Sequence, residues 1–563
     1  MRKMIFIKAT YLRSRFPINS ISKKKLIMFF LGFSALVWFL IRVIPKPSRA
    51  TYPCQRAAFP LASTFVTWLI GFAGSFSSIK KAGNYFSNAK YLYAFTFLLI
   101  SLFSFTIMQF SGSLNTSFAK NAELMPDIPP IIDIDSDKEV VNPKATVAIV
   151  QSEKAEASLI TAADIDTMVR KAVIMAGGFD TLIKNGQNVV IKPNLVCSSG
   201  FGKDANGQTT DWRIIQSVVN MVREKNPKGK ILIMECSGEP TTMNVMRKMG
   251  ILDVKNVDSF IAIEDSSGGW REYSSPKLIK VSLPIGKALF LKANNEYYFN
   301  KVYYDADVII DLPVLKTHNS VPGTGAVKNI ALGVMPWGIY CDTNNFVNPA
   351  IYPMRRGKYV NHAGSKNDMS DWLHDYYMAR PVDFCIMDAL TGLEYGPVNS
   401  RNNPEYRKNT RCIIAAKDAI SMDAIEYLIL QKDPARTRYL VTLHNDSLGC
   451  ADPKYIRVKG IRVDQIREKY RNNINYADYT DVEPPVVTID SYQVKNNKLI
   501  LKLKADTKVE KVEISVNGQQ LDKIYTKNFN SLNIDLGKKA KNKNEIKVFA
   551  YDHYLNCKVL ELN

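Results

Sequence analysis

The stretch VIIDLPVLKTHNSVPGTGAVKN, residues 308–329, decides how the rest of the chain is read. Val308, Ile309 and Ile310 are β-branched and apolar at every position, as in a strand buried on both faces of a parallel sheet. The run continues through Asp311, Leu312, Pro313, Val314 and Leu315, then turns polar at Lys316, Thr317 and His318. Pro322, Gly323, Thr324 and Gly325 next make a turn that opens a helix, with Gly333 and Pro336 closing it. A strand, a polar rim and a helix in that order predict an open α/β sheet. Such sheets bind ligands beyond the carboxyl ends of their strands.

Outward from this stretch the alternation repeats. Strands are expected at 145–150, 189–191, 230–234, 384–387 and 412–415, and a helix from Asp211 to Glu224. Thr161 and Asp164 read as a capping box for a helix carrying Ile165, Met168, Val169, Ala172 and Val173 at helical spacing. Residues 145–480 are therefore expected to form an α/β core domain with a mostly parallel sheet.

Several strands run directly into charged or amide side chains. Val189–Ile191 leads to Lys192, Pro193 and Asn194, the 230–234 strand to Glu235, and the 384–387 strand to Asp388. Parallel strands point their ends one way, so Lys192, Glu235, Lys316, His318, Lys328 and Asp388 are expected to share one rim. Lys192, Asn194, Lys316, Gly323, Gly325, Lys328 and Asn329 would bind an anion, through ammonium and amide groups and the helix-opening turn. His318 and His362 are the acid/base candidates, because imidazole titrates near neutral pH. Asp388 would orient a histidine or join the chemistry. Glu235, His318, His362 and Asp388 are also the candidate ligands for a divalent metal, although no diagnostic spacing names one. His374 would share a helix face with Asp371. Mutual salt bridges are the alternative account of the charges.

Residues 189–194 (VVIKPN), 308–336, 381–397 (PVDFCIMDALTGLEYGP) and 412–424 (CIIAAKDAISMDA) resemble, in that order, the domain-of-unknown-function 362 family. The resemblance implies that Lys192, Lys316, His318, Lys328, Asn329, His362, Asp388 and Gly396 are characteristic family positions. It implies no activity, as the family is uncharacterised. Some relatives carry ferredoxin-type cluster domains, and exported relatives are common. This chain's eight cysteines are scattered without a CxxC, so no iron–sulfur motif is present.

The flanks differ from the core. The net charge is +21, but residues 1–122 carry 16 Lys and Arg with no acid, leaving 58 basic against 53 acidic side chains in the rest. That asymmetry beside apolar runs argues for membrane topology over nucleic-acid binding, so no nucleic-acid partner is expected. Residues 1–120 are expected to be a membrane region with transmembrane helices at 26–44, 57–76 and 91–110. The cation bias places the N-terminus in the cytoplasm and, with three spans, the large C-terminal part outside it, in a multi-pass cell-membrane protein; with 57–76 lying only in the interface, the C-terminal part returns to the cytoplasm. Residues 121–144 read as a linker. Residues 484–563 change to short alternating strands with an Asn517-Gly518 hairpin signal, which predicts a small, separately folded, immunoglobulin-like β-sandwich and a surface for a protein partner.

Two function classes follow. One is a membrane-anchored enzyme acting on an anionic small molecule through a Lys/His/Asp site, with a divalent metal as its cofactor candidate. The other is a non-catalytic, membrane-tethered binding module. A redox or iron–sulfur-linked protein is a third alternative.

Overall fold

The computed structural model describes residues 34, 36–38, 40–41, 66, 77–88, 90–101, 128–237, 241–263, 278–290, 295–318, 321–334, 366–398, 402–472, 478–537 and 545–562. The chain divides into two compact units, Met1–Met125 and Pro126–Asn563.

In the first unit, residues 77–87 and 91–101 are helical. The spans expected at 26–44 and 57–76 lie almost wholly outside the described residues. Of the third, expected at 91–110, the helix is described only to residue 101. Among the described residues no helix is long and apolar enough to cross a membrane. This overturns the fold class that began with transmembrane helices. The multi-pass localisation, with its cytoplasmic N-terminus and extracytoplasmic bulk, falls with it. The expectation rested on counting uncharged letters in the sequence, and the helices that are described do not supply such a span.

The second unit is mixed α/β with several sheets. Its largest sheet runs, edge to edge, Ile456–Gly460, Ala145–Gln151, Cys412–Ala416, Phe384–Leu393, Val308–Leu312, Asn188–Pro193, Lys230–Glu235 and Ser259–Ala262. Cys412–Ala416 runs antiparallel to both of its neighbours in this order, while the other pairs along it are parallel. Val314–Lys316 continues the Val308–Leu312 line and pairs in parallel with Phe384–Leu393.

Helices cover both faces. Ala162–Met175 and Trp212–Lys225 pack on one face with Val189, Ile191, Ile310, Phe384 and Ile386. Gly325–Gly333, Lys366–Ala379 and Ala419–Ile429 pack on the other with Val190, Ile309, Cys385 and Met387. Strict alternation of in-strand residues between two cores is what a doubly covered sheet requires. The Thr161 hydroxyl accepts from the Asp164 N–H, and the Asp164 carboxylate accepts in return from the Thr161 N–H, which fixes the start of Ala162–Met175.

The C-terminal residues form two further sheets. One orders Val487–Lys495, Lys498–Ala505 and Leu532–Asp535; the other contains Lys511–Val516, Ile546–Tyr551 and Cys557–Leu562. Leu499, Leu501 and Leu503 meet Val512, Ile514 and Val516 between them. Val140–Val141, inside the stretch read as a linker, pairs antiparallel with Ile524–Tyr525. Ile524, Tyr551 and Leu555 also pack into the same core as Tyr455 and Ile456 of the α/β layer.

Candidate functional site

Asn188–Pro193 and Lys230–Glu235 lie side by side, so Lys192 and Glu235 emerge at neighbouring strand ends. Lys192 is wholly buried, and its Nζ donates to Glu235 Oε2 at 2.7 Å, to Pro193 O at 2.7 Å and to Asn329 Oδ1 at 3.1 Å. Three acceptors use all three ammonium protons. Glu235 also accepts from the N–H groups of Leu195 and Cys236. Burial pushes its carboxyl up, against the pull of Lys192 and these donors. A Cβ at Gly333 would stand 2.4 Å from Lys192 Nζ and 2.7 Å from Glu235 Oε1, so this ion pair needs glycine there.

Asn329 ties the centre together. Its Oδ1 accepts from Lys192 and from Asn194 Nδ2, while its Nδ2 donates to Asp311 Oδ1 at 2.7 Å. Asp311 Oδ2 is buried with no hydrogen-bond partner, and burial drives this carboxyl well above its ordinary range. Lys316 donates to Asn194 Oδ1 and to Gln208 O, both at 2.6 Å. Lys328, in the Gly325–Gly333 helix, is 5% exposed and makes no hydrogen bond or ion pair among the described residues. Burial lowers both lysines to about 7, and the neighbouring ammonium groups push Lys328 the same way.

The turn read as an anion cradle already holds a carboxylate. Asp423 Oδ1 accepts from Ala326 N at 2.5 Å, and Oδ2 from Val327 N at 3.2 Å and from the Tyr439 hydroxyl at 2.9 Å. The helix N-terminus is therefore met by the chain's own carboxyl group, which burial raises to about 7 against these donors. Gly325 has φ +60°, and a Cβ there would meet the Asp423 carboxyl at 2.5 Å. Gly323 lies likewise against Glu426, whose two buried oxygens have no hydrogen-bond partner. Burial drives the Glu426 carboxyl well above its usual range. These acids sit on Ala419–Ile429, which returns along the sheet after the antiparallel strand.

The set expected on one rim is divided. Asp388 alternates with Phe384 and Ile386 and so faces the core opposite to that of Val190, with which Lys192 alternates. Its oxygens accept from the N–H groups of Asp211 and Leu390, and burial together with the Asp211 carboxylate raises it to about 7. His318 is buried two residues after Lys316, and its carbonyl accepts from Asn472 Nδ2 at 2.8 Å. His362 lies outside the described residues. His374 is clamped between Asp375 and Asp446 at 2.8 and 2.9 Å, and Asp371 binds Arg438 instead. Gly396 N donates to Thr317 Oγ1 at 3.1 Å. Among the described residues no three His, Cys, Asp or Glu side chains gather as metal ligands.

Sequence reasoning missed the loop over the strand ends. Asn206, Gln208, Thr209, Thr210 and Asp211 are all buried. Gln208 O receives Lys316, Thr210 Oγ1 receives Asn194 N, and Asp211 N binds Asp388. The polar run NGQTTD drew no site reading from the sequence beyond Asp211 at a helix start, though its density of short hydrogen-bonding side chains was the available signal. Gln208 also lines an open cleft of about 590 Å³ with Ser198, Ser199, Lys248 and Asn402.

The chain is similar to the thylakoid-associated protein sll1697 of Synechocystis sp., with 24% identity over 291 residues, 52% of this chain and 76% of that protein. Among solved structures, the lactate racemase apoprotein from Thermoanaerobacterium thermosaccharolyticum matches at 14% identity and a TM-score of 0.30, over 51% of this chain and 57% of that one. The ZmpB metallopeptidase from Clostridium perfringens matches at 19% identity and 0.14, over 26% of each chain. Scores this low fix neither fold nor activity. Residues 189–427, which hold the buried lysines and the acids facing them, match the family described as "Domain of unknown function (DUF362)".

Proposed function

We propose that this chain is an enzyme that binds a small anionic molecule at Lys316 and Lys328 and moves a proton on it. The observation that carries this reading is Lys328, a buried amine without a hydrogen bond or ion pair among the described residues, set beside other buried ammonium groups. Burying an uncompensated ammonium is costly, so the group either gives up its proton or takes an anionic partner. Both responses serve the same chemistry. A carboxylate or phosphate would pair with Lys316, whose ammonium form a bound anion favours and which in that form keeps an unused N–H after its two hydrogen bonds. Lys328, lowered to about 7, is partly free amine at neutral pH and can accept a proton from carbon or oxygen next to the bound anion.

Lys192 has a different part. Its ammonium is saturated by Glu235, Pro193 and Asn329, so it holds the floor of the site rigid and supplies positive potential. The test is solvent deuterium exchange into 2-hydroxy acids, 2-oxo acids and phosphorylated carbonyl compounds, followed by proton NMR. Exchange into one class, abolished by Lys328→Met, is the expected result. Exchange that survives Lys328→Met, or binding of these anions that ignores Lys316→Met, would overturn the reading.

A further inference from the structure

We infer that Lys328 is a nucleophile that forms an imine with the carbonyl carbon of a 2-oxo carboxylate. The inference rests on the anion-handling reading above and deepens it by naming the substrate class and a covalent step.

Three buried amines belong to this site, Lys192, Lys316 and Lys328, and their hydrogen bonds rank them. An attacking amine must present its nitrogen lone pair, so it must be deprotonated and not locked as a donor. Lys192 donates to three acceptors and pairs with Glu235. Lys316 is held as a donor by Asn194 Oδ1 and Gln208 O. Lys328 alone of the three is uncommitted, within a helix whose nine residues are all buried. A desolvated lysine beside another cation is the arrangement that makes an amine nucleophilic near neutral pH. Burial and the Lys316 and Lys192 charges hold Lys328 at about 7, in agreement with that geometry.

The two working lysines are joined by backbone. Thr324 N donates to Lys316 O at 2.8 Å, and Thr317 bridges to Gly323, so the helix carrying Lys328 starts against the strand end carrying Lys316. Lys316 has one proton left for the substrate carboxylate. The carbonyl one bond away from that carboxylate is then the electrophile nearest to Lys328. Glu426 supplies the remaining need. Its buried carboxyl, which burial pushes well above its usual range, lies within electrostatic reach of both lysines.

The step balances without an oxidant or reductant. The Lys328 Nζ lone pair bonds to the carbonyl carbon, the C–O π pair moves to oxygen, and a nitrogen proton passes to that oxygen to give a carbinolamine. Glu426 then protonates the hydroxyl, which leaves as water while the nitrogen pair forms C=N. The iminium proton returns to the Glu426 carboxylate or to solvent.

The experiment treats the full chain with pyruvate or glyoxylate and sodium borohydride, then maps modified lysines by peptide mass spectrometry. Borohydride reduces an imine to a secondary amine that survives digestion. The expected result is a single adduct on Lys328, dependent on the oxo acid and lost completely in Lys328→Arg. The unmutated chain gives the position directly, so the test stands even if a variant folds poorly. Modification spread over exposed lysines such as Lys498 and Lys502, with none favoured at Lys328, is adventitious labelling and overturns the inference. Deuterium exchange without any adduct also overturns it but leaves Lys328 as a simple base. Absence of both exchange and adduct removes the parent reading too.

Discussion

Glu235 and Lys192 form a buried ion pair with side chains 3% and 0% exposed. Such a pair is worth little against a well-packed apolar substitute, yet breaking one side strands a charge. Glu235→Gln should therefore cost about 3–5 kcal/mol of stability, read as a lower urea midpoint. Lys192→Met combined with Glu235→Leu should recover most of that loss. If the single variant unfolds at the parent midpoint, the pair is not the floor of the site. Gly333→Ala should act in the same direction, because the added methyl group has no room beside Lys192 Nζ. The lysines were legible at this scale, since a charge just after an apolar run marks a strand end. The partners were not. Asn329 looked like an anion ligand and proves to be the joint between Lys192, Asn194 and Asp311. Asp388 also follows an apolar run, but its even position puts it on the opposite face. Only the register between strands reveals that.

Among elements, the helix start at Thr161 was readable because both halves of the capping box lie three residues apart. Thr161→Ala should lower stability by about 1 kcal/mol, measured by denaturant unfolding, and an unchanged midpoint would show that Ala162–Met175 is fixed by packing alone. The start of Gly325–Gly333 was not readable in the same way. Its glycine turn resembles an anion site, but the anion is Asp423, 97 positions from the Ala326 N–H that it accepts from. A local motif shows that amides are aimed outward and leaves open what meets them. The direction of Cys412–Ala416 was equally hidden, since a continuous apolar run reads alike in parallel and antiparallel neighbours.

At the scale of the second unit, the C-terminal sheets and the α/β layer are joined by buried charge as well as by apolar contact. Arg457 meets Glu513 at 3.3 Å, Lys511 meets Glu513 at 3.1 Å, and Lys511 Nζ donates to Ile456 O. This seam was not legible in the sequence, because Ile456 and Arg457 lie more than fifty positions from Lys511 and Glu513. A chain ending near residue 480 would leave Arg457 without its carboxylate and uncover the core around Ile456. It should melt at a lower temperature than the full chain by calorimetry; an equal melting temperature would show that the seam contributes nothing. His553 gives the seam a pH dependence. Burial alone would lower it, but Glu510 at 3.3 Å and Asp433 at 4.0 Å raise it from 6.5 to about 9. A raised histidine contributes fully below its unfolded value and fades as pH climbs through the folded one. Stability should thus fall between about pH 6.5 and 9 through this group, and His553→Gln should flatten that slope in urea titrations across the window.

The position of Ala145–Gln151 has a consequence in time. It lies between Cys412–Ala416 and Ile456–Gly460, both synthesised long after it. At about 5–20 residues per second, a ribosome needs roughly 15–60 s to travel from the first of these strands to the last. Until Cys412–Ala416 is made the nascent chain carries an apolar strand with neither edge paired, and until Ile456–Gly460 follows one edge stays open, the kind of segment that recruits strands from other chains. The cell's difficulty with this protein is then a matter of waiting, and slower translation or a shortage of chaperones should lower its soluble yield more than a modest loss of final stability would.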